Sequence, residues 1–377
     1  MRARGYNAAM TRLLAHYLVT AAHTDIRARA QALALEQSVE MPLAAITDVA
    51  IRTEIVATVE AITPAGHGRY RVVLGLAGAT LGRDLGQLLN MLFGNCSLQP
   101  DVELIDAEWP DELLANHPGP RFGLAGLRAA LGADQRALSM TALKPQGLAA
   151  AELAKLAGTF ARAGLDIIKD DHGIANQDYA PFAARVVACQ RAVSCANAAR
   201  GGHSIYAPAL SGGPRQLRQQ IHVVREEGVG MVLACPMLLG LPVFDELVRH
   251  ELPCPVIAHP ALAGAGRIAP PLLLGRLFRL AGADATIFPN HGGRFSYDRA
   301  TCIAIAQAAR APWAHLAASA PVAAGGMSVD RVEEMLATYG RDIILLIGGA
   351  LLSAGPALAE RAAEFVTRLH VAAERAA

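Results

Sequence analysis

From Ala137 onward the chain alternates short apolar runs of β-forming residues with longer stretches rich in Ala, Leu and Arg. The runs are Leu138 to Leu143, Asp166 to Lys169, Ser204 to Pro208, Gly230 to Ala234, Val256 to His259, Ala285 to Phe288, Val322 to Ala324 and Ile343 to Ile347. Each is followed by a helical pattern, such as Ala149 to Arg162 after the first and Asp330 to Tyr339 after the seventh. Strands covered on both faces read as continuous apolar runs rather than strict alternations, so eight of them, each followed by a helix, predict an α/β fold with a TIM (β/α)8 barrel. The first 115 residues predict an α+β domain: helices over Asn7 to Ala22, Ala28 to Glu36 and Leu81 to Leu92, and strands over Glu54 to Ile62 and Tyr70 to Leu76. The acid-rich stretch Asp101 to Pro120, closing with Pro118-Gly119-Pro120, reads as the junction, which sets the expected domains at 1–115 and 116–377.

Composition narrows the function. The 377 residues are 53% hydrophobic and 18% charged, with 34 Lys and Arg against 33 Asp and Glu. No cluster of Lys and Arg offers the field that holds nucleic acid or an anionic membrane, so neither is expected as a partner. The apolar stretches break well before the roughly 20 residues of a membrane span. Arg2 and Arg4 are followed by Asn7, Thr11, Arg12 and His16 rather than by the apolar core of a secretory signal, and the expected location is the cytoplasm. The six cysteines, Cys96, Cys189, Cys195, Cys235, Cys254 and Cys302, have no C-x-x-C spacing and are expected as reduced thiols.

A TIM barrel carries its chemistry where strands end. Here those ends hold Lys144-Pro145-Gln146-Gly147, Lys169-Asp170-Asp171-His172, His259-Pro260, Asn290-His291-Gly292-Gly293-Arg294, Gly325-Gly326 and Gly348-Gly349. Adjacent ionisable groups are costly unless their charge is neutralised or used. A divalent metal on Asp171 would use it, and Lys169, two residues earlier on the strand, points to the same side. Protonated lysine cannot bind a metal, but a carbamate formed with CO₂ would make Lys169 an oxygen ligand. The glycine pairs on the seventh and eighth loops let backbone N–H groups approach a phosphate, and Arg294 adds a cation for a phosphate or carboxylate.

These residues together resemble the RuBisCO-like proteins, the form IV relatives of the ribulose bisphosphate carboxylase large subunit, over nearly the whole chain. Lys144-Pro145 resembles the first active-site lysine motif of that family, and Gly164-Leu165-Asp166 leading into Lys169-Asp170-Asp171 its carbamylated-lysine metal motif. His259, Gly282-Ala283-Asp284, Gly325-Gly326-Met327 and Leu346-Ile347-Gly348-Gly349 fall where it has its later active-site strands. Leu35-Glu36-Gln37-Ser38 and Asn90-Met91-Leu92-Phe93-Gly94-Asn95 resemble segments that bring Glu36 and Asn95 into a neighbouring subunit's site. The resemblance implies a homodimer or higher homo-oligomer without a small subunit, Mg²⁺ or Mn²⁺ as the metal, and CO₂ as a carbamate on Lys169. Departures at Gln146, His172, Pro260, Arg294 and Ala324 argue against CO₂ fixation.

The chemistry common to the superfamily is a metal-stabilised enediolate. With one phosphate site and Arg294 for a carboxylate, the expected substrate is a phosphorylated sugar acid, and the expected enzyme a 3-oxo-isoapionate 4-phosphate decarboxylase or transcarboxylase/hydrolase, a carbon–carbon lyase or relative of one in carbohydrate catabolism. The alternatives are an enolase or isomerase on a methylthio-sugar phosphate in sulfur salvage, and a non-catalytic regulatory barrel. Lys144, His172, His259 and Arg294 are the expected catalytic groups, with Lys169, Asp171 and His172 as metal ligands. His172 has three readings: a nitrogen ligand that would favour Mn²⁺, Fe²⁺ or Zn²⁺ over Mg²⁺, a proton carrier working with Lys144, or a ring fixed by Asp170 or Asp171 behind the metal ligands.

Overall fold

The computed structural model describes residues 11–133, 136–293, 295 and 297–374. The chain divides into two compact units: one runs to Pro118 and includes Gly264–Leu273, the other holds Gly119–Ala263 and Leu274–Ala377.

The first unit is built on an antiparallel sheet of β1 (Arg12–Thr20), β2 (Thr58–Gly66), β3 (Arg69–Ala77) and β4 (Val102–Glu108), in the order β2-β3-β1-β4. The helix expected over Asn7 to Ala22 is therefore a strand, with residues 7–10 outside the described ones. Its residues have fair helix propensity, but Leu13, Ala15, Tyr17 and Val19 are fully buried at every second position, and pairing with β3 and β4 on either side overrides propensity. The expected junction also hides a strand, β4, whose acids Glu103 and Glu108 lie on exposed positions while Val102, Leu104 and Ala107 are buried. The expected helices appear as Ile26–Glu36 and Leu85–Phe93, the latter capped by Asp84, whose carboxylate accepts from the N–H groups of Gly86 and Gln87. Ile268 forms a parallel bridge with Leu104, so part of Gly264–Leu273 lies along the free edge of β4.

In the second unit all eight expected barrel strands form: β5 (Leu138–Leu143), β6 (Ile167–Asp170), β7 (Ile205–Ala207), β8 (Val232–Ala234), β9 (Val256–Ala258), β10 (Ala285–Pro289), β11 (Ala320–Ala324) and β12 (Ile344–Leu346). They run parallel in the order β7-β6-β5-β12-β11-β10-β9-β8. A parallel bridge between Ala209 and Leu233 links the two ends of that sheet. Leu138, Met140, Ile167, Leu233, Ile257, Ile287, Val322 and Ile344 fill the interior together with Leu124, Leu127 and Leu131 of the helix Gly123–Leu131. That helix is pinned by buried Asp284, whose Oδ1 accepts from the N–H groups of Phe122 and Gly123, at 2.8 Å each, while Oδ2 accepts from Val256 N–H at 2.9 Å. Asp284 precedes β10, at the end of the barrel opposite the functional loops, so the Gly282-Ala283-Asp284 run is a structural brace rather than part of a site. No helix among the described residues is long and apolar enough to cross a membrane.

Candidate active site

The strand β6 builds the centre of the site. Lys169 is buried among parallel neighbours, Ala142 on β5 and Ala207 on β7, and its Nζ donates to the Asp170 carbonyl at 3.0 Å. Burial pulls its pKa down to about 8, with Lys144 adding to the shift and Asp171 and Asp170 opposing it. Lys169 therefore has far more neutral amine near pH 7 than an ordinary lysine.

Asp171 lies at the hub of the mouth. Its Oδ1 receives Lys144 Nζ at 2.9 Å and stands 3.3 Å from His172 Nδ1. Burial works against its charge, but the hydrogen bonds from His172 and Lys144 and the nearby Lys169 charge prevail and hold the carboxyl well below the usual range. The His172 ring stacks on that of His259, with centroids 4.1 Å apart and planes at 14°. His259 Nδ1 accepts from the Ala261 N–H at 3.1 Å, which leaves the ring's proton on Nε2. Burial, followed by Lys169 and His172, pushes the His259 pKa down to about 2, so this imidazole is neutral at any working pH.

Among the described residues, no three of His, Cys, Asp or Glu gather as a metal cage. The donor set fits a hard divalent cation only with an oxygen from Lys169, and a buried, partly neutral amine beside an ionised carboxylate is the form that reacts with CO₂.

Asp170, between the two expected ligands, faces the other way into a dry network. Its Oδ2 accepts from Arg185 Nε at 3.0 Å and from Ala209 N–H at 3.1 Å, and its Oδ1 from Tyr206 Oη at 2.8 Å. Arg185 also donates to the carbonyls of Ala180 and Ala175, fastening the loop that follows His172. Sequence reasoning missed Arg185 and Tyr206, which lie 15 and 36 residues from Asp170 and carry no local signature. It noted Gln146 only as a departure. In the fold that side chain lies across Gly173, where an added Cβ would fall 1.9 Å from Nε2, so the loops after β5 and β6 interlock beside His172.

The remaining expected residues of this unit sit at the same strand ends. Gly325 and Gly326 follow β11 in left-handed conformations, with φ of +82° and +64°. Gly348 and Gly349 follow β12, and a Cβ on Gly348 would lie 3.9 Å from Lys144 Cε, so Lys144 reaches from Asp171 toward that loop. Arg294 lies outside the described residues. In the first unit, Glu36 and Asn95 come together: Asn95 Nδ2 donates to Glu36 Oε1 at 3.0 Å on an exposed surface.

Residues 123–267 match the family described as ribulose bisphosphate carboxylase large chain, catalytic domain. The chain is 54% identical over 358 residues to ribulose bisphosphate carboxylase-like protein 1 of Rhodopseudomonas palustris, covering 95% of this chain and 97% of that one. It is also 54% identical over 365 residues to 5-methylthioribulose-1-phosphate isomerase of Rhodospirillum rubrum, covering 97% of this chain and 98% of the relative. A crystal structure of a Rubisco-like protein from Rhodopseudomonas palustris superposes with a TM-score of 0.89 at 50% identity, covering 96% and 98% of the two chains.

The likeness to the isomerase overturns the expectation of a 3-oxo-isoapionate 4-phosphate decarboxylase or transcarboxylase/hydrolase, and with it the assignment to lyases of carbohydrate catabolism. The physical reason is that decarboxylation and proton transfer pass through the same enediolate, so Lys-Asp-Asp-His serves both. The case for a substrate carboxylate rested on a single inferred phosphate site and the spare charge of Arg294.

Proposed function

This chain belongs to the RuBisCO-like proteins, and on that premise we propose that it is an isomerase moving a proton on a phosphorylated methylthio keto sugar, 5-methylthioribulose 1-phosphate. The observation that carries the proposal is the end-to-end likeness to a relative named for that reaction, 54% identical over 97% of this chain. The site chemistry supports it. A keto sugar phosphate needs one group to take the proton beside its ketone, charge to stabilise the resulting enediolate, and an anion site for the phosphate.

Lys169 as a carbamate, Asp171 and His172 would hold Mg²⁺ or Mn²⁺, which supplies the positive charge that lowers the energy of an enediolate. Lys144, which reaches from Asp171 toward the Gly348 loop, would move a proton near the reacting carbons. His259, neutral and with its proton on Nε2, donates a hydrogen bond to substrate oxygen rather than a charge. His172, with Asp171 at one ring nitrogen, relays protons or completes the metal's donors. Gly325, Gly326, Gly348 and Gly349 take the phosphate on backbone N–H groups, and Arg294 adds a cation there. The working unit is a homodimer or larger homo-oligomer in which the Glu36–Asn95 pair completes a neighbour's site.

The test is ¹H and ³¹P NMR of 5-methylthioribulose 1-phosphate with enzyme, Mg²⁺ and bicarbonate in D₂O. Deuterium should enter a carbon adjacent to the original ketone while an isomeric sugar phosphate accumulates and no CO₂ is released. Absence of exchange and isomer in a protein shown to be folded would overturn the proposal.

A further inference from the structure

We infer that Arg331 is a positioning residue that clamps the glycine loops after β10 and β11 into an anion cradle. The inference rests on the proposed reading of Gly325-Gly326 as the phosphate site. Those two loops meet glycine to glycine: a Cβ on Gly326 would lie 2.3 Å from Gly293 Cα and 2.7 Å from its nitrogen, and one on Gly293 would lie 2.9 Å from Gly326 N. At their roots the loops are joined by Asn290, whose N–H donates to the Ala324 carbonyl at 2.7 Å and whose Nδ2 donates to Met327 Sδ at 3.2 Å, but Gly293 and Gly326 have no side chains of their own to hold the contact, and Gly326, at φ +64°, is in a conformation other residues resist.

Arg331 supplies a second hold at the glycines themselves. Its Nη1 donates to the Gly326 carbonyl at 2.8 Å and to the His291 carbonyl at 3.3 Å, one from each loop. Its Nε and Nη2 are gripped by the two oxygens of Glu334, at 2.8 and 3.0 Å, and His291 Nε2 stands 3.5 Å from the same carboxylate. A Cβ on Gly292 would press on the guanidinium at 3.2 Å, so that glycine makes room for the clamp. These bonds engage four of the five guanidinium N–H donors, which makes Arg331 a brace for the loops rather than a direct ligand of the anion. Pulling the Gly326 and His291 carbonyls toward Arg331 fixes the Gly326–Met327 and His291–Gly292 peptide planes, and so restrains the backbone that carries the Gly325 and Gly326 N–H groups read as the phosphate site. Neither loop makes this visible in sequence, because Arg331 lies five residues past Gly326 and 40 past His291.

The experiment measures inorganic phosphate binding by calorimetry, melting temperature, and KM and kcat for 5-methylthioribulose 1-phosphate in wild type, Arg331→Met, Arg331→Lys and Glu334→Gln. Arg331→Met should weaken phosphate binding and raise KM by about tenfold each, with kcat changed by less than about threefold. Arg331→Lys should recover part of the loss, because an ammonium can still donate to one of the carbonyls. Should Arg331→Met not fold, Glu334→Gln, which loosens the grip without removing the guanidinium, should give the same split at smaller size. Wild-type phosphate binding with unchanged affinity and KM in the folded variants overturns the clamp. Turnover by wild type without competitive phosphate binding overturns the reading of the glycine pair itself, and the clamp falls with it.

Discussion

Replacing Arg185 by Met tests whether the network behind β6 holds the site. Arg185 and Asp170 are both fully buried, and among the described residues the carboxylate's other donors are Tyr206 Oη and the Ala209 N–H. Met keeps much of the arginine's apolar bulk but leaves a buried charge facing two neutral donors and frees the carbonyls of Ala175 and Ala180. Breaking one side of a buried pair costs about 3–5 kcal/mol, and at about 2 °C per kcal/mol for a unit of this size the melting temperature should fall by about 6–10 °C.

The pH dependence has a definite sign. Burial, only partly opposed by Arg185 and by the hydrogen bonds from Ala209 and Tyr206, already holds Asp170 above the ordinary carboxylate range. A group raised in the folded state favours folding below its unfolded pKa, about 3.9 for Asp, and that contribution is lost as pH rises through the folded value. Removing the guanidinium raises the folded value further, so the gap between variant and wild type should be narrower at pH 5 than at pH 8. Adding Asp170→Asn should recover part of the loss at pH 8, since no charge is then stranded. Calorimetric melting across that range decides the matter. A gap under about 2 °C at pH 8, or one that does not change with pH, refutes the reasoning.

Lys169→Ala and Asp171→Ala should each lower metal-dependent turnover by about a hundredfold or more, and wild-type rates in either variant with EDTA present would overturn the metal site. Gly349→Val should raise KM for the phosphorylated substrate with little change in melting temperature, since nothing lies within 4 Å of a Cβ there, and an unchanged KM would move the anion to another loop. Mixing Glu36→Ala with Lys169→Ala protein should restore about a quarter of wild-type activity once dimers exchange, because each hybrid has one site with both residues. No recovery despite proven exchange counts against a shared site. His172→Glu, which puts a carboxylate where the imidazole stands, should keep Mg²⁺ dependence while turnover collapses if His172 carries protons, and keep its kcat if His172 is only a ligand.

The barrel was legible because each of its strands is buried on both faces and so appears as one short apolar run, with a helix pattern to mark where it ends. The first unit was harder to read for the opposite reason. Arg12–Thr20 has apolar residues dense enough to satisfy either period, and its identity as a strand comes from partners some 55 and 85 residues away in the chain, β3 and β4. The same distinction runs through the site. Lys169, Asp171 and His172 are neighbours in the chain because one strand end presents them, so their grouping is visible in the sequence itself. Arg185, Tyr206 and Arg331 act on the site from other elements, and no local pattern ties them to it.

This difference explains why the sequence left more than one substrate open. An enediolate needs a cation and a proton carrier beside the ketone, and under the proposed function both demands fall on residues at the ends of β5 and β6. Whether the enediolate arises by losing a proton or by losing CO₂ depends on what the rest of the pocket offers to the far end of the substrate, where a methylthio group wants apolar contact and a carboxylate wants charge. A cationic loop residue such as Arg294 serves a phosphate as readily as a carboxylate, so its charge does not choose between them. The choice therefore lies with residues that meet the substrate beyond its ketone. Gln146, whose side chain lies across Gly173 next to His172, has an amide where the resemblance to the family's carboxylases implies a lysine. An amide can hydrogen-bond a sugar hydroxyl but offers no charge to a carboxylate, which suits proton transfer on a neutral carbon chain better than the handling of a sugar acid.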